Sequence, residues 1–158
     1  MLIKVNSFKH LFTFISLVIL AYHLINLFLF WPDIPDRIAI HSTKGEPDNW
    51  GSKYFVLVMP IIGLLIWWLL GLLTKNPEKL NYINLTEKNR EQQYNMSKKI
   101  MVLIQNLVLI SSILANESFV RYSVGIENNV FSFLPLLLTA VMLLAVFFNL
   151  IWAVRLKE

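Results

Sequence analysis

The residues best suited to chemistry lie in a polar stretch at positions 32–53, between two apolar segments. One histidine and four carboxylates there could supply nitrogen and oxygen ligands to a divalent cation. These residues are Asp33, Asp36, His41, Glu46 and Asp48. Their spacing matches no known metal site, and neither a nucleophile nor a shaped pocket accompanies them. We therefore expect a solvated, internally hydrogen-bonded loop with no metal, no cofactor and no catalytic residue.

A second set of polar residues lies inside apolar segments. His23 is near the middle of the first segment, and Asn26 follows it near the same helical face. Gln105 and Asn106 lie in the third segment. Such groups are unfavourable against lipid, so we expect all four to face a bundle interior. His23 is a candidate proton carrier or polar contact in a ligand cavity, but the favoured interpretation is a neutral His23 bonded to Gln105 or Asn106.

The composition indicates a membrane protein. Of the 158 residues 56% are hydrophobic and 15% are charged, which is more apolar than a soluble fold of this size can cover. We predict an all-α membrane protein in which residues 1–158 form a single integral membrane domain, a four-transmembrane-helix bundle. The predicted spans are about 11–31, 54–73, 98–118 and 130–154, joined by an outer loop at 32–53, a cytoplasmic loop at 74–97 and a short connection at 119–129.

The basic residues predict the orientation. Ten of the 14 lysines and arginines lie before the first apolar segment, between the second and third, or after the fourth. The positive-inside rule therefore places both termini and the loop 74–97 in the cytoplasm. This distribution also explains the net charge of +4 without a nucleic-acid partner.

The loop 32–53 is predicted to be ordered and extracytoplasmic. Trp31, Trp50 and Tyr54 are suited to the headgroup level at its two ends. Its prolines and glycines exclude a continuous helix, and residues 38–40 favour a short extended piece. Residues 46–49 read EPDN, a sequence that favours a type I turn.

The strings IPDRIAIH (34–41), GEPD (45–48) and WGSK (50–53) resemble one bacterial family in order, spacing and position. It is an uncharacterised membrane module that also forms the N-terminal part of the sporulation-delaying-toxin immunity proteins (SdpI-like). Residues 84–94, NLTEKNREQQY, are similar to the family's cytoplasmic segment, so the resemblance covers roughly residues 10–115. It implies a multi-pass protein of the bacterial cytoplasmic membrane.

Two functions follow as expectations. The resemblance favours recognition of, or immunity to, an extracytoplasmic peptide or toxin. The alternative is an accessory subunit of a transporter or other membrane complex, which with four spans needs a homo-oligomer or a larger membrane protein partner. An enzyme is not expected, because familiar hydrolase, metalloprotease and phosphate-loop motifs are absent from the sequence. The candidate binding residues are Asp36, Arg37, His41, Glu46, Asp48 and Trp50.

Overall fold

The apolar segments form long helices. A computed structural model of the chain describes residues 2–43, 46–126 and 129–156, and within these ranges it contains four helices able by length and composition to cross a membrane. The prediction of a helical, multi-pass membrane protein is therefore confirmed. The elements are α1 (Leu2–Phe30), β1 (Arg37–Thr43), β2 (Glu46–Ser52), α2 (Val58–Leu73), α3 (Arg90–Ser123) and α4 (Leu134–Arg155). A short 3₁₀ turn at Lys53–Leu57 precedes α2, and another at Pro77–Lys79 follows it. A third, at Val130–Ser132, precedes α4.

Helix α3 is the central element, because α1, α2 and α4 each pack against it. Half of the residues in the most apolar 18-residue stretch of α3 are buried, whereas 17% are buried in the corresponding stretches of α1 and α2. The prediction gave this segment bounds of 98–118, but the helix has 34 residues and is roughly 50 Å long. Its length follows from the absence of glycine and proline between positions 87 and 124.

The connection after α1 is a β-hairpin, which the all-α prediction lacked. β1 and β2 pair antiparallel, with Arg37 opposite Ser52 and Ala39 opposite Trp50. The extended piece predicted at 38–40 is part of β1, whereas the turn predicted at 46–49 is wrong, because those residues belong to β2. A proline in β2 is tolerated there because an edge strand leaves one side of its backbone unpaired.

The hairpin rests on the helices through a small apolar cluster, here called the hairpin floor. It comprises Leu27 of α1, Ile34, Ile38 of β1, Val56 and Val120 of α3, all at most 7% exposed. Side chains alternate between the two faces of a strand, which turns Ile38 inward while its neighbour Arg37 stays exposed. The end of the bundle that carries β1 and β2 is called the hairpin end below.

The chain between α2 and α3 is also folded. Asn89, just before α3, accepts a hydrogen bond from the Thr86 backbone N–H and donates to the Asn84 carbonyl. The Tyr82 hydroxyl donates to the Pro77 carbonyl at 2.7 Å, and its ring lies 5.1 Å from that of Tyr94. Burial raises the pKa of the Tyr82 phenol above its ordinary value, because it disfavours the charged phenolate.

Helices α2 and α3 approach closely at a glycine. A Cβ added to Gly63 would lie 2.8 Å from the Ser112 Cβ, closer than side-chain carbons approach in real structures. Small residues permit this kind of contact between membrane helices, where dispersion contacts stabilise association.

We predict that Gly63→Ala lowers the free energy of unfolding by about 1–3 kcal/mol, because the new methyl group meets Ser112. Replacing Ser112 by glycine in the same chain removes that clash and should recover most of the loss. Equilibrium unfolding of the purified protein in detergent micelles measures both effects. Equal stability of Gly63→Ala and the wild type, or no recovery in the double variant, contradicts the close contact.

Candidate functional site

Helices α1 and α3 bury polar side chains against each other, and these form what we call the polar seam. On α1, Ser16 and His23 are fully buried and lie seven residues apart on one helical face. On α3, Asn106, Asn116 and Glu117 are fully buried. The seam thus lies between two membrane-spanning helices, where polar groups are stable only when they bond to each other.

The centre of the seam at the hairpin end is the Glu117 carboxylate. Its Oε2 lies 2.7 Å from His23 Nδ1, and its Oε1 accepts from Asn26 Nδ2 at 2.9 Å. Arg121, one turn further along α3, donates from Nε to the same Oε1 at 2.8 Å. We call Glu117, His23, Asn26, Arg121 and Asn116 the Glu117 cluster.

Arg121 supplies the opposite charge. Its guanidinium pairs with Glu117 inside one helix, and its Nη2 lies 3.2 Å from the Tyr22 hydroxyl of α1. The same group sits over the rings of Phe30 and Phe131, with its Cζ 5.6 Å and 4.8 Å from the ring centroids. Ion pairing and cation–π contact together stabilise a charge that lipid would strongly disfavour.

Both ring nitrogens of His23 have hydrogen-bond partners on α3. A carboxylate only accepts, so Nδ1 carries the proton that is donated to Glu117. In the orientation that the structure gives Asn116, its Nδ2 lies 2.9 Å from His23 Nε2, which accepts in that arrangement. The buried Oδ1 of Asn116 has no hydrogen-bond partner among the described residues. A rotation of this amide would present that acceptor to a protonated Nε2.

The other half of the seam lies further from the hairpin. Ser16 Oγ is 2.9 Å from Asn106 Oδ1, which also accepts from the Trp67 indole N–H of α2 at 3.2 Å. Gln105 donates to the Trp67 carbonyl at 2.8 Å. Asn106 and Gln105 therefore connect α3 to its neighbours, as expected for polar residues inside a bundle.

The predicted partners of His23 were wrong. α1 and α3 run parallel, and Ser16 of α1 already occupies the level of Asn106. His23 lies about two turns beyond Ser16 on α1, and there it meets Asn116 and Glu117, which lie about three turns beyond Asn106 on α3. Glu117 and Arg121 were missed because Arg121 was assigned to a loop. Their opposite charges four residues apart, in a segment without helix breakers, are the signal that could have identified the pair.

The candidate residues of the hairpin do not form a single cluster. Asp36 pairs with Lys53 at 3.0 Å, which closes the base of the hairpin. His41 Nδ1 lies 2.6 Å from Asp48 Oδ1, and both side chains are exposed. The Glu46 side chain lies outside the described residues. Within the described ranges, no group of three or more histidine, cysteine or acidic side chains is placed to hold a metal ion.

Arg37 and Trp50 line a cavity of about 310 Å³ between the hairpin and the end of α3. The β1 side contributes Pro35, Arg37, Ile38 and Ala39, β2 contributes Trp50, and the α3 side contributes Tyr122, Ser123 and Gly125. Tyr122 directly follows Arg121 of the Glu117 cluster. The α3 side of this cavity thus begins one residue beyond the buried ion pair.

The comparisons with known proteins match part of the chain to a family model. Residues 14–64 match the family model described as Domain of unknown function (DUF1648), a family of membrane-associated domains. The match covers most of α1, the hairpin and the beginning of α2, and it ends before Glu117 and Arg121. No curated protein and no solved structure gives a significant match to the chain.

We predict that Glu117→Leu destabilises the protein by about 3–5 kcal/mol, because it leaves Arg121 without its opposite charge and His23 without an acceptor. The double variant Glu117→Leu/Arg121→Leu should be more stable than the single variant. Glu87→Gln, which breaks an exposed ion pair with Arg90, is the control and should change stability little. Equilibrium unfolding in micelles measures the stability of all three variants. If Glu117→Leu is as stable as the control, Glu117 is not the buried partner of Arg121 and His23.

Proposed function

We propose that this protein recognises an extracytoplasmic peptide, including a membrane-active peptide toxin, through the hairpin end of its helix bundle. The proposal places it in the bacterial cytoplasmic membrane with both termini inside, and an immunity role is its most specific form. The observation that carries the proposal is the cavity of about 310 Å³ between β1, Trp50 and the end of α3.

The chemistry of the cavity favours a peptide. Arg37 offers a guanidinium to a carboxylate or to backbone carbonyls, and Trp50 and Tyr122 offer aromatic surface. Arginine, tryptophan and tyrosine are the residues that most often dominate the binding energy of protein interfaces. Trp50 is half exposed although it is a large apolar side chain, so its ring is accessible to a ligand.

The backbone of the hairpin adds a second reason. In the part of the chain that the structure describes, β1 pairs only with β2, so its other edge carries backbone groups without a strand partner. An extended peptide can add to such an edge through main-chain hydrogen bonds. Residues 37–39 of β1 line the cavity, so a peptide bound there would meet Arg37 as it pairs with the strand.

Rigidity of the site supports recognition further. The hairpin floor fixes β1 on α1 and α3, and the Asp36–Lys53 pair closes the hairpin base. A site that is already ordered loses little conformational entropy when it binds a ligand.

We predict that Arg37→Ala and Trp50→Ala each weaken protection by roughly tenfold or more, because each removes a principal contact. The measurement is the inhibitory concentration of a panel of membrane-active peptides on cells that produce the wild type, a variant or no protein. Arg155→Ala and Trp152→Ala are matched controls, because these residues lie on α4 at the opposite end of the bundle. Equal sensitivity of cells with and without the protein across the whole panel contradicts the proposal.

An accessory role in a transporter or other complex is the second candidate. The observation that favours it is α4, which packs on α3 and presents most of its apolar surface outward, toward lipid or a partner helix. The two candidates differ in their sensitive residues. Loss of function in His23→Ala with unchanged function in Arg37→Ala favours transport, whereas loss of function in Arg37→Ala favours recognition.

The orientation is tested by labelling single cysteines, since the natural chain has none. Asn49 of β2 and Glu78 between α2 and α3 are both exposed. We predict that Asn49→Cys reacts with a membrane-impermeant maleimide in intact cells, whereas Glu78→Cys reacts only after the membrane is permeabilised. The opposite pattern places the hairpin in the cytoplasm and removes the basis for extracytoplasmic recognition.

A further inference from the structure

A second cavity, of about 190 Å³, lies at the end of the bundle away from the hairpin. It is bounded by α1, by α2 with the residues that follow it, and by α3. We call it the lysine cavity. The lining residues that matter here are Lys9, Thr13, Trp67, Trp68, Lys75 and Gln105.

Its charge is positive and uncompensated. Lys9 comes from α1 and Lys75 lies two residues beyond the end of α2, so two chain segments each contribute a lysine to the lining of one cavity. Neither ammonium has a carboxylate within ion-pair distance among the described residues. Lys53 at the hairpin end, by contrast, is paired with Asp36. The lysine cavity is therefore suited to an anion.

The position of the cavity along the helices corresponds to a membrane surface. Lys9 immediately precedes the uncharged part of α1, and Lys75 follows the last apolar residues of α2. Trp67 and Trp68 line the same cavity, and tryptophan is enriched at the headgroup level of bilayers. The anion that is most abundant at this level is the phosphate of a lipid.

The wall of the cavity is held in place. Gln105 is 4% exposed and bonds to the Trp67 carbonyl, and the Trp67 indole bonds to Asn106. Gly71 makes room for this arrangement, because a Cβ there would lie 2.7 Å from Gln105 Nε2. Thr13 of α1 also lines the cavity, and a threonine hydroxyl can donate to an oxygen atom.

We propose that the lysine cavity binds the phosphate group of an anionic phospholipid. Lys9 and Lys75 neutralise the charge, Thr13 donates a hydrogen bond, and Trp67 and Trp68 pack against the glycerol region. The volume is below the usual range for a whole small-molecule ligand, which agrees with a site for the headgroup alone. The acyl chains then follow the exposed apolar surfaces of α1 and α2, including Leu72 and Trp68.

The test uses the full-length protein in detergent, with short-chain phosphatidylglycerol as the probe. Binding is followed by native mass spectrometry and by the rise in melting temperature. We expect the wild type to bind phosphatidylglycerol and to bind phosphatidylcholine of the same chain length more weakly. The double variant Lys9→Gln/Lys75→Gln should bind phosphatidylglycerol roughly tenfold or more weakly, because both charges near the phosphate are lost.

The matched control is Lys79→Gln/Lys88→Gln, which removes the same charge from exposed positions outside the cavity. Unchanged binding in this control supports the site, whereas an equal loss in both double variants means that only diffuse charge attracts the lipid and overturns it. Equal binding of the two lipids by the wild type also overturns it. Glycerol 3-phosphate is the third probe, and affinity equal to that of phosphatidylglycerol would assign the cavity to a soluble phosphate ester instead of a lipid. These experiments do not involve the hairpin, so their outcome is independent of the proposed recognition function.

Discussion

The carboxylate of Glu117 is the group that most strongly constrains the structure. A negative charge inside an apolar helix bundle is stable only when it is paired and fully hydrogen-bonded. Glu117 meets this requirement with His23 and Asn26 of α1 and with Arg121 of its own helix. Because two of these partners belong to α1, the charge can be accommodated only when α1 lies against α3 in one register. Apolar packing alone would allow two such helices to adopt several neighbouring registers. The Glu117 cluster excludes those registers, because its hydrogen bonds form in only one of them.

The shape of the hairpin end follows from that register. Only six residues separate α1 from β1, so the position of α1 determines where the hairpin can lie. Val120, three residues beyond Glu117, contributes to the hairpin floor with Ile38 of β1. Tyr122 then forms part of the wall that faces Arg37 and Trp50. The cavity that we assign to peptide recognition is thus supported by an ion pair about one helical turn below it.

The sequence predicts the existence of the four helices because each of them carries an apolar run that water would not tolerate. It does not predict the full length of α3, whose first and last turns are polar. It also indicates that 38–40 is extended. It does not predict the rest of the hairpin. The sequence EPDN at 46–49 favours a turn locally, but these residues pair with β1 as a strand, and strand pairing depends on contacts outside the segment. His23 is recognisable as a buried polar group, but its partner depends on the register of α1 against α3. That register can be predicted only when Arg121 is known to lie within a helix. Of the hairpin candidates, Arg37 and Trp50 meet at one cavity, while His41 and Asp48 pair with each other.

The two ends of the bundle use their charges differently. At the hairpin end Lys53 and Arg121 are paired with carboxylates and Arg37 lines the cavity assigned to a peptide, whereas Lys9 and Lys75 at the other end line a cavity assigned to a lipid phosphate. The central claim is that the Glu117 cluster supports the hairpin. Hydrogen exchange of the β1 and β2 amides in the wild type and in Glu117→Gln tests it most directly, because this near-isosteric change keeps the size of the side chain but removes its charge and one acceptor oxygen. The account predicts exchange at least about tenfold faster in both strands, with residues 77–89 at the opposite end unchanged. A folded variant whose strands exchange at the wild-type rate would contradict it.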